Sequence, residues 1–146
     1  MSPGTTRPST ASAARPFNRP YTGEYLSRVA FPLGGLGAGM VCLEGTGALS
    51  HVSLRHRPDV FNEPCIFTAL WVGTGTTSAG AARPAGIARV LEGPVPGWKL
   101  FGPPDSANGS PGRTYGLPRF AHAEFAARFP FATLTLTDPD VPVRVK

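Results

Sequence analysis

The chain has 146 residues, which is the length of one ordinary domain. Hydrophobic residues make up 41% of it and charged residues only 16%, while 18 glycines and 17 prolines give these two residue types about twice their usual share. Because glycine and proline both destabilise helix interiors, this composition excludes a mainly helical protein and favours short strands joined by many turns.

The net charge of +5 raises the question of nucleic-acid binding. The excess comes from twelve arginines, against two lysines, that are scattered singly along the chain. A surface that follows a phosphate backbone needs clustered basic residues, and no window of the sequence has such a cluster. No apolar run approaches the ~20 residues of a membrane span, and residues 1–16 lack the apolar stretch of a signal peptide. We therefore expect no nucleic-acid partner, no membrane span and a cytoplasmic location.

The N-terminal residues 1–16 are of low complexity and contain no large apolar side chain after Met1. Such a segment cannot bury enough surface to offset the entropy that ordering costs. We therefore expect residues 1–16 to form a disordered tail and residues 17–146 to form the ordered domain.

A β-hairpin is predicted after a glycine-dense segment, residues 33–39. Residues 39–43 and 48–55 both have strand patterns, and Gly45 and Gly47 between them can supply the positive φ angles of a tight turn. The glycine-dense segment has neither the Lys-Ser/Thr ending of a P-loop nor a G-x-G-x-x-G spacing, and a strand rather than a helix follows it. We therefore do not expect a nucleotide site there.

More strand patterns follow along the chain. Residues 65–72 are the most apolar stretch and predict a buried central strand, and residues 87–91 predict a short strand. Residues 93–118 are rich in proline and glycine, which predicts a long irregular connection. Residues 120–129 and 131–137, separated by a proline, are two further strand candidates.

The sequence ends inside an alternating pattern, residues 141–146, which is typical of the start of another strand. Strands at intervals of about ten residues, with turn signals between them and no helical periodicity, indicate an all-β protein. The predicted fold is an antiparallel β-sandwich that is incomplete at the C-terminus, and a β-barrel is the alternative that the sequence leaves open.

The titratable side chains show no metal or catalytic pattern. Cys42 and Cys65 both lie in apolar runs, which favours two buried thiols, with a disulfide as the open alternative. The three histidines have no ligand spacing, so we expect no metal and no cofactor. Glu44 and Glu63 are the one tempting pair of carboxylates, but both are expected to be turn or surface residues rather than catalytic groups.

Three groups of segments carry a resemblance to a known family. They are FPLGGLGAG (residues 31–39) with LEGTG (43–47), HRPDVFNEP (56–64) with FTALW (67–71), and GLPRF (116–120) with RFPFAT (128–133) and DPDVP (138–142). In this order and spacing, over about residues 24–146, they resemble the N-terminal domain of glycoside hydrolase family 116. This is the family of the non-lysosomal glucosylceramidases, or bile acid β-glucosidases.

The resemblance implies a β-sandwich that packs against an (α/α)6 barrel. In that family the barrel carries the nucleophile and the acid/base carboxylates of a retaining β-glycosidase, which lie ~5–5.5 Å apart. None of these catalytic residues maps to a position of this chain. We therefore expect a non-catalytic N-terminal domain of an enzyme that acts on β-glucosides or glucosylceramide-like substrates. Its partner would be the C-terminal catalytic barrel, and the chain alone would be inactive.

Six residues are candidates for facing the substrate or the barrel, namely Gly34, Gly35, Gly37, Arg57, Asn62 and Trp98. The glycines would let the backbone turn sharply and approach the barrel near its active-site mouth, or they would form a tight turn internal to the sandwich. Trp98 is a candidate for stacking on a sugar ring, whereas Trp71 is expected in the core. Two other interpretations of the whole chain stay open: a free-standing carbohydrate-binding β-sandwich module and a decayed gene fragment.

Overall fold

The computed structural model of the chain describes residues 16–35, 37–55, 57–59, 63–73, 75, 85–101 and 115–146. These residues form a 3₁₀ helix (Gly23–Arg28), a short helix α1 (Gly97–Phe101), and strands β1 (Ala30–Gly35), β2 (Gly39–Glu44), β3 (Leu49–Leu54), β4 (Arg57–Pro58), β5 (Ala69–Gly73), β6 (Gly86–Val90), β7 (His122–Arg128) and β8 (Phe131–Thr137). Apart from residue 16, the predicted tail lies outside the described residues. Neither helix in the described part of the chain is long and apolar enough to cross a membrane.

Strands β1 to β4 form one antiparallel sheet in chain order. The pairing of β1 with β2 runs from Ala30 opposite Glu44 to Gly35 opposite Gly39, so the glycine-dense segment is the end of a hairpin. Gly34 and Gly39 both have positive φ angles, and a Cβ atom on either would collide with a backbone carbonyl oxygen. Glycine is therefore required where the backbones approach each other most closely.

The predicted hairpin of β2 and β3 is confirmed. In its turn, the amide of Gly47 donates a hydrogen bond to the carbonyl oxygen of Glu44 at 2.9 Å. A register shift between Met40 and Cys42 marks a β-bulge or irregularity in β2, of the kind that increases the local twist of a strand pair.

Strands β5 and β6 form a separate two-stranded sheet. The prediction of a buried central strand over residues 65–72 is wrong, because the strand begins only at Ala69 and the residues just before it are exposed. Successive side chains of a strand point to opposite faces, and only one face of this sheet meets the core. Leu70 and Val72 pack against the core, whereas Trp71 is more than half exposed, so the prediction that Trp71 lies in the core is also wrong.

Strands β7 and β8 form the third sheet and pair over their whole length. They confirm the strands predicted over residues 120–129 and 131–137. The strand predicted over residues 141–146 is reduced to a single bridge, in which Leu136 and Val145 exchange backbone hydrogen bonds of 2.9 and 3.1 Å.

Helix α1 interrupts the irregular connection that was predicted for residues 93–118. The carbonyl oxygen of Pro96 accepts a hydrogen bond from the amide of Lys99 at 3.0 Å. Pro96 is tolerated at the N-terminal end of α1 because the first amides of a helix make no intrahelical hydrogen bond, so the missing amide hydrogen of proline removes none. The one-turn helix places Lys99 inside the protein, where it becomes part of the site described below.

The core lies where the three sheets meet. Its buried members are Leu26, Phe31, Phe120, Ala123, Phe125, Leu136 and Val141. The rings of Phe31 in β1 and Phe125 in β7 have centroids 6.1 Å apart and are tilted by 56°, a favourable arrangement for an aromatic pair. Full burial of such a side chain contributes about 1.5–3 kcal/mol, so this pair is a main link between the first and third sheets.

Residues 90–93, which we call the joint segment, connect the sheets through backbone hydrogen bonds. The segment begins at the end of β6. The amide of Gly93 donates to the carbonyl oxygen of Thr46 in the β2–β3 turn at 2.7 Å. The carbonyl oxygen of Glu92 accepts from the amide of Phe120, just before β7, at 3.0 Å. All three sheets are thus attached to one four-residue stretch.

The predicted all-β class is confirmed. The strand pairs in the described part of the chain are antiparallel, apart from an isolated parallel bridge between Val90 and Arg119. The face-to-face stacking of a β-sandwich stays a prediction.

Candidate functional site

A buried cluster of charged side chains lies where α1 approaches the end of β2. Lys99 Nζ is 2.8 and 2.9 Å from the two carboxylate oxygens of Glu44 and 2.5 Å from Oε1 of Glu63. The Lys99 side chain is only 3% exposed. An ammonium group at this depth requires paired charges, and the two carboxylates supply them.

Tyr115 extends the cluster on the side of Glu63. Its hydroxyl donates a hydrogen bond to Oε2 of Glu63 at 2.5 Å. Burial first, and then this hydrogen bond and the negative charge of Glu63, raise the pKa of Tyr115 well above its ordinary value. The phenol is therefore a neutral donor at physiological pH.

A second ion pair lies beside the first. Arg119 Nε is 3.0 Å from Oε2 of Glu92, and both side chains are largely buried. The Arg119 guanidinium also donates to the carbonyl oxygens of Tyr115 and Leu117. Glu92 belongs to the joint segment, so this ion pair connects that segment to the residues just before β7.

Glu44 and Glu63, the one carboxylate pair that the sequence singled out, are brought together by the fold. An oxygen of each carboxylate contacts the same Nζ atom, so the two carboxylates share one ammonium group. In a retaining glycosidase the two carboxylates lie ~5–5.5 Å apart with the scissile bond between them. The position that a sugar would need, however, is filled by the ammonium group of Lys99. The adjoining cavity, about 40 Å³, is also far smaller than a ligand pocket.

The expectation that both carboxylates are turn or surface residues is corrected by this geometry. Glu44 is buried and Glu63 is half-buried, because α1 brings a lysine from 55 residues away in sequence to neutralise Glu44. Both carboxylates contact the same ammonium group, so the arrangement is a buried ion-pair cluster.

The two cysteines are thiols rather than a disulfide in this structure. Cys42 is buried as expected. Cys65 is exposed, and it lies before the start of β5 rather than in the buried strand that was predicted. Burial, together with the nearby carboxylate of Glu44, raises the pKa of the Cys42 thiol. A thiol with a raised pKa is a poor nucleophile, which fits a packing role.

The six residues predicted to face substrate or barrel lie in separate places. Gly34, Gly35 and Gly37 are exposed at the end of the β1–β2 hairpin, Arg57 is exposed in β4, Trp98 lies in α1, and Asn62 is outside the described residues. The hairpin glycines, Arg57 and Trp98 line three different clefts. Their proposed contacts stay predictions.

Trp71 is exposed for a local reason. It occupies β5 two residues before Gly73, which pairs with Gly86 of β6. A Cβ atom at Gly86 would come within 2.5 Å of the indole Nε1, and one at Gly73 within 2.9 Å of the indole Cη2. The indole therefore lies over this pair of glycines and covers sheet backbone instead of entering the core.

A cleft of about 690 Å³, which we call the Trp98 cleft, is bounded by the 3₁₀ helix, residues 94–98 and one face of β7–β8. Sequence reasoning identified Trp98 in it but missed the polar wall. The sequence does contain a signal for this wall, because polar residues occupy alternate positions of both strands, namely His122 and Glu124 in β7 and Thr135 and Thr137 in β8. Such alternation marks a second, outward face of a hairpin.

The described structure thus defines an antiparallel all-β domain with a buried ion-pair cluster and an open cleft. The family model described as "beta-glucosidase 2, glycosyl-hydrolase family 116 N-term" matches residues 30–146, which is most of the chain. The chain belongs to this family of glycosyl-hydrolase N-terminal domains, and the resemblance stated from the sequence is confirmed. No curated protein matches the chain.

Proposed function

We propose that this chain is a non-catalytic domain that packs against the (α/α)6 catalytic barrel of a retaining β-glycosidase acting on β-glucosides or glucosylceramide-like substrates. The family match over residues 30–146 is the observation that carries the proposal. The ion-pair cluster supports it, because Glu44 and Glu63 both contact the Lys99 ammonium, whereas the two carboxylates of a retaining glycosidase flank the bond that is cleaved.

An exposed apolar surface supports a partner of this kind. Phe129 and Phe131, at the turn between β7 and β8, are 83% and 75% exposed. The Phe129 ring is 6.4 Å from the ring of Phe31 in the core, and Leu33 follows Phe31 on the same face of β1. We call Leu33, Phe129 and Phe131 the apolar rim, and exposed apolar surface that is continuous with a core is typical of an interface.

The glycine end of the β1–β2 hairpin is the second proposed contact. Gly34, Gly35 and Gly37 expose backbone without side chains, so another surface can approach their amides and carbonyl groups closely. We place this hairpin end near the active-site mouth of the barrel, with Arg57 and Asn62 as further residues that face substrate or barrel.

Binding of a separately produced family 116 catalytic barrel tests the proposal. The full 146-residue chain is mixed with the purified barrel, and the complex is measured by calorimetry and by hydrolysis of 4-nitrophenyl β-glucoside. We expect the chain alone to be inactive and Phe129→Ser/Phe131→Ser to weaken the complex at least tenfold. Phe17→Ser, which changes an equally exposed phenylalanine outside the rim, serves as the matched control.

Two results would overturn the proposal. Hydrolysis by the chain alone that Glu44→Gln abolishes would make this domain catalytic. A folded chain that does not bind the barrel, or binding that the double variant and the control affect equally, would remove the apolar rim as the contact surface.

A further inference from the structure

The Trp98 cleft has the size of a small-molecule site. Its volume of about 690 Å³ falls within the ~300–1,000 Å³ typical of ligand pockets. It adjoins the ion-pair cluster but is lined by different charged residues, and neither Phe129 nor Phe131 of the apolar rim lines it. A ligand there would therefore not compete with a partner bound at those two phenylalanines.

One wall of the cleft is polar and rigid. His122 is paired with Thr137, and Glu124 with Thr135, across β7 and β8. Because side chains alternate along a strand, these four lie on the face opposite the buried Phe125, with His122, Glu124 and Thr137 exposed and Thr135 itself buried. Directly opposed side chains in a sheet lie about 5 Å apart, which is about the width of a pyranose ring.

The other wall is apolar. The indole of Trp98 is 44% exposed and lines the cleft together with Pro94, Val95 and Pro96, while Lys99 Nζ of the ion-pair cluster lies over the same ring, 5.3 Å from its centroid. A flat aromatic surface opposite a row of hydroxyl and carboxylate groups fits a ligand that has one apolar face and a polar edge. A β-glucopyranose ring has this shape, because its axial hydrogens form an apolar face and its hydroxyls lie around the rim.

The charges in the cleft select against anions. Glu24 on the 3₁₀ helix and Glu124 on β7 line it, and the basic side chains of its described lining are Arg144 and His122, of which the formal count at pH 7 charges only Arg144. Two carboxylates against one guanidinium disfavour a phosphate or carboxylate ligand. They favour a neutral polyol, since carboxylates accept strong hydrogen bonds from hydroxyl groups.

We propose that the Trp98 cleft binds a neutral β-linked glucosaccharide, with one pyranose face against the Trp98 indole and hydroxyl groups donating to Glu24 and Glu124. Such a site would hold a saccharide on this domain. The proposal concerns the chain by itself and does not depend on docking to a barrel.

Fluorescence titration of the full chain with cellotriose tests the proposal. The chain has two tryptophans, so Trp71→Phe leaves Trp98 as the reporter and is also the control for an exposed indole elsewhere. We expect a saturable change that Trp71→Phe keeps and that Trp98→Ala weakens at least tenfold, as measured by calorimetry. Glucose 6-phosphate should bind more weakly than glucose because of the two carboxylates.

Milder variants keep the test decisive if Trp98→Ala does not fold. Thr137→Val removes one hydroxyl without changing side-chain shape, and Glu124→Gln removes one charged acceptor. Each should weaken cellotriose binding threefold or more, with an unchanged circular dichroism spectrum. The proposal is refuted by no saturable binding, by binding that these variants do not change, or by tighter binding of the phosphorylated sugar. None of these outcomes bears on barrel docking, which is measured without saccharide.

Discussion

Removal of the Lys99 ammonium should strongly destabilise the fold. In Lys99→Met the side chain keeps a similar length, but Glu44 and Glu63 lose the cation that both contact. Two negatively charged groups, one buried and one half-buried, then face each other without compensation. Breaking a buried ion pair in this way costs about 3–5 kcal/mol, which is a large share of the ~5–15 kcal/mol that stabilises a domain.

Urea unfolding followed by tryptophan fluorescence measures this effect. We expect the free energy of unfolding to fall by about 3–5 kcal/mol and the melting temperature by about 10–20 °C. Lys146→Met is the matched control, because Lys146 is the other lysine of the chain and is exposed, so its loss should change stability by no more than about 0.5 kcal/mol.

A second change separates charge from packing. Adding Glu44→Gln to Lys99→Met removes one of the two opposed charges and should restore at least about 1 kcal/mol. A loss under about 1 kcal/mol, the value of a surface ion pair, would refute the buried ion-pair interpretation.

Two further predictions concern the link between the second and third sheets and the β1–β2 hairpin of the first sheet. The Arg89 guanidinium, 3.0 Å from Asp138, holds the pKa of that carboxyl below its ordinary value, with help from the Asp140 amide. Because the pKa of Asp138 is lower in the folded state than in the unfolded state, this carboxylate adds stability at neutral pH. That stability is lost as the pH falls from about 4 through the folded-state pKa. Arg89→Gln should therefore flatten the acidic side of a plot of unfolding free energy against pH, and an unchanged slope would contradict this. Gly34→Ala should lower the free energy of unfolding in urea by more than about 1 kcal/mol, because the φ angle of Gly34 is positive and the new Cβ atom would meet backbone atoms. Gly35→Ala is the control and should be nearly neutral, because a Cβ atom at Gly35 would meet open space. Equal effects of the two variants would count against the close approach of the strands.

The parts of the fold that the sequence predicted correctly are the local ones. The β2–β3 hairpin follows from alternating side chains and from turn residues a few positions apart, and β7 and β8 follow as strands from their own local patterns, so each pattern lies within one short window. The prediction of a buried strand over residues 65–72 was wrong because an apolar run does not show which of its residues pair with another strand. Nor does it show whether one face or both faces of the resulting sheet are buried.

The candidate site depended on contacts that no local pattern carries. Glu44 and Lys99 are 55 residues apart, and only the packing of α1 against β2 brings them together. A lone lysine in a proline-rich and glycine-rich segment is ordinarily a solvated side chain, so its burial could not be read from sequence. Trp98 was predicted from the sequence as a candidate for stacking on a sugar ring, which stays a prediction, and the polar residues that line the same cleft became visible only when β7 and β8 were paired.

The joint segment, residues 90–93, has a consequence for how the domain comes apart. A two-stranded sheet is marginal in water by itself, and two of the three sheets in the described part of the chain have two strands. The two-stranded sheets therefore depend on the joint segment and on the shared core to hold them against their neighbours. Opening of the joint segment would release its hydrogen bonds to Thr46 and Phe120 together, so we expect amide exchange at these two ends of the segment to be coupled.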